Sequence, residues 1–386
     1  MHTALPKTPK GWLRTSQRLA ANRTTTMQRM LLAWLIMFLP LLQPQTASAE
    51  IFIGIATPAN GPGAEIRRAA KVSAERINAE GGVLGELISL IEADDGCNSE
   101  QGSKAAQSLV DRRVAVVIGH PCGSSANAAG HIYATNSVVL LGITRHPALT
   151  EKRAGEVIFR VAGRDDRQGA SAAAYFSRKF RDKPIAIVRD ASRYARRITN
   201  DLRAALKRAG FTEAMSAAVW GGQKDYSKLI AKLQAANIHA LFFAGFPLEA
   251  GLLLRQLRAA GLSTVFVGTE TLASAQFADT AGSATSGARI LLSHDPARKL
   301  AASGIEYQGV QRPATGPFLN TFAAFETWYA AVRQAGSIGP NAVSAALKKG
   351  TFETVLGYVS FAESGDANLP AYDIVTWNND AWRTID

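Results

Sequence analysis

Short runs of β-branched and other apolar residues alternate with helical patterns along residues 51–160. The run at 51–57 predicts a strand, and the apolar spacing over 64–79 predicts a helix that Gly81 and Gly82 end. Further strands are predicted at 87–93, 114–118, 138–141 and 157–160, and further helices at 101–111 and 124–135. Short apolar strands separated by helices are typical of βαβ units, in which helices cover both faces of a parallel sheet.

A second series of the same kind follows from residue 166. Its helices are predicted at 166–179, 194–209, 226–236 and 247–260, and its strands at 185–188, 217–220, 240–243 and 265–268. A long helix at 318–334 carries an aromatic stripe that we assign to the core, and 357–361 and 371–377 are interpreted as closing strands. The two series predict an α/β protein of two doubly wound lobes. Such sheets bind ligands at the carboxyl ends of their strands.

The first 49 residues have the pattern of an export signal. Residues 30–42 (MLLAWLIMFLPLL) form an apolar run that follows Arg29. This run is shorter than the roughly 20 residues that a membrane-spanning helix needs. The A-x-A pattern that ends at Ala49 fits signal peptidase, so Glu50 is predicted to begin the mature chain.

The remainder of the chain predicts an exported, soluble protein. The residue directly after the cleavage site is Glu50 rather than cysteine, which argues against a lipid anchor, and no later segment is apolar enough to span a bilayer. Met27 alone would start a well-proportioned signal peptide, so we interpret it as the true start and residues 1–26 as an extension.

The net charge gives little support to nucleic-acid binding. The 386-residue chain carries +12, but half of this comes from the six basic residues of 1–49, where no acidic residue occurs. The excess that remains is small for a chain of this length. With 47% hydrophobic and 19% charged residues, the composition is that of a folded globular protein.

The sequence lacks the motifs of the common enzyme classes. It contains no GxGxxG after a strand, no GxxxxGK[ST], no GxSxG and no HExxH. The six histidines are scattered without metal-ligand spacing, and no pair of carboxylates stands in a context that suggests acid–base catalysis. These absences argue against an enzyme, and we predict neither a cofactor nor a metal site.

Cys97 and Cys122 are the two cysteines, and both belong to the exported part. An even pair in an oxidising compartment predicts a disulfide. Two free buried thiols remain the alternative. A metal site is disfavoured because no histidines cluster with the thiols and neither thiol lies in a C-x-x-C motif.

Several segments, in their order and spacing, resemble the leucine/isoleucine/valine-binding proteins, the periplasmic receptors of ABC-type amino-acid importers. These segments are IGIATPANGPGAE, INAEGGVLGE, EADDGCNSEQ, VIGHPCGSSANAA, FRVAGRDDRQG, the stretch from DYSKL to RAAGL, GTETL and GPFLNTFAAFETW. The resemblance spans 50–386 and includes the spacing of the two cysteines. It implies the type I periplasmic binding protein fold, in which the chain crosses three times between two lobes. Lobe 1 is then expected at 50–163 plus 292–371, and lobe 2 at 164–291 plus 372–386.

The same resemblance implies a function. The protein would be a periplasmic receptor that binds a branched-chain or related amino acid in the interlobe cleft, which hinge closure buries. Its partner would be an ABC permease in the inner membrane, and a monomer is expected.

The resemblance also implies which residues bind the charged groups of the ligand. Gly123, Ser124 and Ser125 begin a helix and would cradle the carboxylate, unless the two serines only cap that helix. Thr144 would contact both charged groups. Glu270 would pair with the ammonium group, unless it is solvated at the end of its strand.

Three further residues are expected at the cleft. By resemblance, Tyr194 and Phe246 would wall it from lobe 2. The alternatives are a surface position for Tyr194 and a core position for Phe246. The Arg145 guanidinium is suited to a bidentate contact with a carboxylate, unless it points into solvent.

Four departures from the family pattern lie at the cleft. Gly123 stands where relatives carry a serine, the loop at 142–146 is shortened, Tyr194 is followed by ARR instead of glycine, and the segment after 61–63 is shortened. Another small carboxylate, amide or aromatic acid therefore remains an alternative ligand. A ligand sensor that docks on a membrane receptor remains an alternative function.

Export is predicted to leave Glu50 as the first residue of the mature protein, because signal peptidase cleaves after the small residues that end at Ala49. Mass spectrometry of periplasmic material measures the N-terminus directly. Finding residues 31–42 retained in the mature protein would contradict the prediction.

Overall fold

Two separate β-sheets organise the chain. The computed structural model describes residues 50–60, 62–151, 156–298, 316–378 and 381–385. The first sheet is parallel throughout, in the order β2-β1-β3-β4-β5. Its strands are β1 (Glu50–Thr57), β2 (Leu87–Asp94), β3 (Val116–Gly119), β4 (Val139–Gly142) and β5 (Ile158–Arg160).

Helices connect these parallel strands and cover them. The helices are α1 (Gly63–Ala79), α2 (Ser99–Asp111), α3 (Gly123–Thr135) and the short α4 (Ala148–Glu151). The central strands β3 and β4 are buried at every residue. Burial on both faces explains why these strands are continuous apolar runs rather than alternating ones.

The next 130 or so residues repeat this arrangement around a second sheet. Its first strands are β6 (Ile185–Arg189), β7 (Met215–Ala218), β8 (Ala240–Ala244), β9 (Val265–Gly268) and β10 (Arg289–Ser293). Its helices are α5 (Gln168–Lys179), α6 (Arg193–Arg208), α7 (Ser227–Ala235), α8 (Pro247–Ala259) and α9 (Ala275–Ala281).

The C-terminal part of the chain adds strands to the second sheet and packs a helix against the first. Its elements are α10 (Gly316–Ala335), α11 (Pro340–Lys349), β11 (Thr351–Thr354), β12 (Gly357–Ser360), β13 (Tyr372–Asn378) and β14 (Ala381–Thr384). The strands β13 and β14 join the second sheet, whose order is β14-β13-β10-β9-β8-β6-β7. Because β13 runs antiparallel to β10, the described part of this sheet is mixed rather than purely parallel.

The aromatic helix α10 packs against the first sheet. Phe325 and Trp328 are buried in one cluster with Ile53 and Val116 of that sheet. The aromatic stripe is therefore core, as predicted. The structure confirms the α/β class with two doubly wound sheets.

Several short elements escaped the sequence patterns. The strand β10 has only five residues between Gly287 and His294, and α11 begins at Pro340 after Gly339 without a long apolar stripe. The predicted strand at 357–361 does not close a large sheet, because β12 pairs with β11 in a two-stranded antiparallel ribbon. The helix α9 and the strands β11 and β14 were likewise not predicted.

The predicted signal peptide, with Ala49, lies outside the described residues, and Glu50 begins β1. Among the described residues, no helix combines the length and apolar character needed to cross a membrane.

A disulfide joins Cys97 to Cys122, with Cα atoms 5.2 Å apart. Cys97 follows β2 and Cys122 precedes α3, so the bond ties the carboxyl edges of two strands together. The Cys97 backbone has a φ of 53°, in the left-handed region that non-glycine residues seldom adopt.

Replacing Cys97 and Cys122 together by serine is expected to lower the free energy of unfolding by about 3.5 kcal/mol, because the unfolded chain regains the entropy of an open loop. Urea titration of the variant and of the oxidised protein measures the difference. Reduced wild-type protein is the control and should resemble the variant. Equal midpoints for the oxidised protein and the variant would contradict the prediction.

Candidate functional site

A cavity of about 630 Å³ opens at the carboxyl edge of the first sheet. Gly123, Thr144 and Arg145 line it from the loops after β3 and β4, and Ser293 and His294 line it from the end of β10. Parallel strands bring their carboxyl ends to one edge, which is where doubly wound proteins bind ligands. Three of the eight predicted ligand-binding residues therefore lie together here.

The start of α3 offers backbone donors to this cavity. The first N–H groups of a helix have no acceptor within it and carry the positive end of its dipole. The Ser124 hydroxyl donates to the Cys97 carbonyl at 2.8 Å, and the Ser125 hydroxyl donates to the Asp95 carboxylate at 2.8 Å. Neither hydroxyl caps the helix, whose N-cap is Cys122. The exposed Ser124 hydroxyl and the buried Ser125 hydroxyl are thus both engaged by other parts of the fold, and the amides remain for an anion.

A buried network holds the turn before α3. Asp95 Oδ2 lies 2.9 Å from Nδ1 of His120, and Nε2 of the same ring lies 3.0 Å from the Tyr133 hydroxyl. All three residues are fully buried. Burial acts to raise the pKa of Asp95, but the interactions with His120 and Ser125 outweigh it and hold this pKa below its ordinary value. The network fixes His120 at a φ of 50° and so positions the turn.

The imidazole of His146 lies against Gly123. A Cβ atom added at Gly123 would meet Cβ of His146 at 2.5 Å and Cγ at 2.6 Å. His146 is exposed and lines the cavity. Its Nδ1 accepts the N–H of Ala148 at 3.3 Å, so the hydrogen of the neutral ring lies on Nε2. No sequence pattern singles out this histidine, because its partner is known only from the fold.

Thr144 and Arg145 differ in what they offer the cavity. Thr144 Oγ1 accepts the N–H of His146 at 3.2 Å, and among the described residues no acceptor takes its hydroxyl hydrogen. The Arg145 guanidinium donates to the carbonyl oxygens of His294, at 3.2 Å, and Ala371, at 2.8 Å. Arg145 therefore does not point into solvent. It ties the loop after β4 to two segments that join the sheets.

Arg160 holds the loop that carries these residues. It is fully buried at the end of β5, and its Nε donates to Asp366 Oδ1 at 2.8 Å. Its remaining donors contact Thr144 O at 3.0 Å, His146 O at 2.6 Å, Pro147 O at 3.2 Å and Thr150 Oγ1 at 2.8 Å. Burial acts to raise the pKa of Asp366, but the Thr150 hydrogen bond and the Arg160 charge lower it overall. The guanidinium thus fixes the geometry of the loop.

Tyr194 and Phe246 form a pair at the carboxyl edge of the second sheet. Tyr194 lies in the first turn of α6 and Phe246 is the N-cap of α8, with ring centroids 6.4 Å apart in a stacked arrangement. Phe246 is 50% exposed, so it is not a core residue. The Tyr194 hydroxyl donates to Gln168 Oε1 at 3.1 Å, and burial raises the pKa of Tyr194. The pair presents an apolar wall.

Glu270 has hydroxyl partners. It opens the short 3₁₀ turn after β9. Its Oε2 accepts from the Ser293 hydroxyl at 2.7 Å, and its Oε1 lies 3.5 Å from the Tyr372 hydroxyl. No ion pair within the described ranges includes Glu270. The Ser293 hydroxyl therefore holds the carboxylate in place, since the Tyr372 hydroxyl donates to the Asp165 carbonyl at 2.7 Å.

The predicted residues form two groups, one at the edge of each sheet. The groups meet at the connecting segments, which link the two sheets around residues 294 and 371. Tyr194, Phe246 and Glu270 are not among the described residues that line the cavity. Ser293 lines it and also donates to Glu270, which joins the two groups. The sequence predicted both groups but not this link.

A family model described as periplasmic binding protein matches residues 50–381. The chain belongs to the periplasmic binding protein family. A Leu/Ile/Val-binding protein homologue of Brucella abortus is 33% identical over 347 residues, which cover 87% of this chain and 92% of the relative. The leucine-, isoleucine-, valine-, threonine- and alanine-binding protein of Pseudomonas aeruginosa is 31% identical over 88% of this chain and 92% of the relative.

Solved structures show the same fold. A substrate-binding protein of an ABC transporter from Desulfitobacterium hafniense, in complex with leucine, has a TM-score of 0.61 at 21% identity and covers 87% of this chain and 100% of its own. The isoleucine complex of a branched-chain amino acid binding protein from Streptococcus pneumoniae has a TM-score of 0.52 at 21% identity, with coverage of 87% and 98%. The predicted type I periplasmic binding protein fold is confirmed.

Membership of this family also argues against an enzymatic activity. Periplasmic binding proteins of this family are transporter components rather than enzymes, in agreement with the sequence prediction. Within the described ranges, no group of three or more His, Cys, Asp or Glu residues is arranged to hold a metal ion.

Arg160→Met is expected to lower the free energy of unfolding by about 3–5 kcal/mol, because it removes the buried charge partner at Oδ1 of Asp366 and leaves several buried carbonyl groups without their donor. Urea titration measures the change. Arg178→Met, at an exposed position of α5, is the control and should change the same quantity by less than about 0.5 kcal/mol. Equal effects of the two substitutions would contradict the prediction.

Proposed function

We propose that this protein is the extracytoplasmic receptor of an ABC importer. It binds a branched-chain or related amino acid between its two lobes and delivers it to a permease in the inner membrane. The relatives named above that bind leucine, isoleucine and valine support this ligand class, since about one third of their residues are identical over nearly the whole chain. The observation that carries the proposal is the Glu270 carboxylate, which has hydroxyl partners and faces the connecting segments of the fold.

A zwitterionic ligand requires an anionic side chain for its ammonium group and, a short distance away, hydrogen-bond donors for its carboxylate. In our proposal Glu270 receives the ammonium group, and the ligand carboxylate lies at the start of α3. Gly123, Ser124 and Ser125 contribute backbone N–H groups there rather than side chains. The free hydroxyl hydrogen of Thr144 reaches the same group.

The apolar part of the ligand packs on Tyr194 and Phe246. The half-exposed Phe246 ring has apolar area left to bury, and its stacking on Tyr194 keeps it in place. Burying a leucine-sized side chain contributes about 1.5–3 kcal/mol. Arg145 acts indirectly in this proposal, because two of its donors bind backbone carbonyls of the connecting segments.

Closure of the lobes completes the site. The division into lobe 1 (50–163 plus 292–371) and lobe 2 (164–291 plus 372–386) stays a prediction. It agrees with the distribution of strands over the two sheets, since β10 ends and β13 begins near its boundaries. Hinge closure would bring the start of α3 toward Glu270 and exclude water from both.

We also propose that the protein acts in the periplasm after cleavage between Ala49 and Glu50. The family match begins at residue 50, which is the residue expected after cleavage. The disulfide between Cys97 and Cys122 fits an oxidising compartment.

A second ligand class is favoured by one observation. The imidazole of His146 occupies the volume beside Gly123, where the resemblance to the leucine/isoleucine/valine-binding proteins implies a serine. A differently shaped anionic end, as in another small carboxylate or an aromatic acid, is therefore the second candidate. A thermal-shift screen with amino acids, amides and aromatic acids distinguishes the classes, because a bound ligand raises stability by mass action.

Glu270→Gln is expected to weaken leucine binding more than a hundredfold, because losing one member of a buried charge pair costs about 3–5 kcal/mol. Calorimetric titration measures the affinity. Glu213→Gln is the matched control, since Glu213 pairs with Arg203 away from the cleft, and it should leave affinity unchanged. Equal leucine affinity of wild type and Glu270→Gln would show that no ammonium group is recognised there.

A further inference from the structure

We propose that the imidazole of His146 is the side-chain donor to the ligand carboxylate, in the volume where Gly123 lacks a hydroxyl. This inference rests on the proposed function. It deepens that function by naming the residue that determines which anionic end the cleft accepts.

Positions 123 and 146 share one volume. A Cβ at position 123 would lie 2.5 Å from Cβ, 2.6 Å from Cγ and 3.0 Å from Cδ2 of His146. Real Cβ atoms do not approach other carbon atoms so closely, and the first of these neighbours is attached directly to the backbone. The two positions therefore accommodate either a side chain at 123 or an imidazole at 146, but not both.

The imidazole presents a donor to the cavity. Its Nδ1 is occupied by the N–H of Ala148, so Nε2 carries the hydrogen. Within the described ranges, no hydrogen bond engages Nε2, and the ring is exposed in the lining of the cavity. A neutral imidazole in this orientation supplies one N–H to an acceptor, as a serine hydroxyl would.

Hydrogen bonds of the His146 backbone fix the position of its ring beside the cavity. The His146 N–H donates to Thr144 Oγ1 at 3.2 Å, and the His146 carbonyl accepts from Arg160 at 2.6 Å. Both main-chain polar groups are thus fixed, and the side chain lies against Gly123 at the start of α3. A carboxylate placed there receives the helix amides, the hydroxyl hydrogen and Nε2–H together.

His146→Ala tests the donor directly. We expect leucine to bind about 10- to 100-fold more weakly, which is the effect of losing a hydrogen bond to a charged group. Leucinamide, which has no carboxylate, should lose less than about threefold. His146→Gln keeps an N–H donor and should bind leucine nearly as well as wild type. The unfolding midpoint of each unliganded variant is measured to confirm that it folds.

An exchange of the two side chains tests the shared volume. Gly123→Ser alone should weaken leucine binding, because the new Cβ collides with His146. The second change must be His146→Gly, since any other residue keeps a Cβ 2.5 Å from the new one. The double variant Gly123→Ser/His146→Gly should bind leucine more tightly than His146→Gly alone, because the serine hydroxyl then acts as the donor.

The outcomes separate this inference from the proposed function. Wild-type leucine affinity in His146→Ala, or equal losses for leucine and leucinamide, would overturn the role of His146 while leaving the receptor intact. A double variant no better than His146→Gly alone would also overturn it. Absence of binding by the wild-type protein to every amino acid tested would instead overturn the proposed function, and the inference with it.

Discussion

The cleft depends on one buried cation. Arg160 is fully buried, and a buried guanidinium is tolerated only where its charge is paired and its five N–H groups find acceptors. Asp366 supplies the charge, and the loop after β4 supplies most of the acceptors. The loop must therefore wrap around Arg160 in one conformation. That conformation places Thr144 and His146 at the start of α3.

The same requirement connects the cleft to the segments between the sheets. Asp366 lies in the stretch before β13, and Arg164, just after β5, donates to it at 3.2 Å. Arg145 contacts the carbonyls of His294 and Ala371 from the other side. Residues that line the cavity and the segments that link the sheets thus form one network. A displacement of the cavity-lining loop therefore also displaces the connecting segments, and the reverse, because closely packed interiors do not deform continuously.

The sequence predicted most of the fold and only part of the site. Periodicity located the long elements within a few residues. It missed β10 and α11, because such short elements contain too few repeats of the apolar pattern. Resemblance named Glu270 and Phe246, and the structure places both at the edge of the second sheet. It could not show that the Ser125 hydroxyl is engaged by Asp95 or that His146 fills the space at Gly123, since these contacts join residues about 20 to 30 positions apart.

In the proposed function, ligand binding and lobe orientation form one equilibrium. Glu270 is held by Ser293, at the end of β10, and lies close to Tyr372, at the start of β13, so its carboxylate touches two segments on which a hinge would turn. A cation at Glu270 competes for the same oxygens and changes those contacts. A ligand shifts an equilibrium only as far as its affinities for the two states differ. In the proposed function, an amino acid gains that difference by reaching both Glu270, which follows β9 of the second sheet, and the start of α3, which follows β3 of the first.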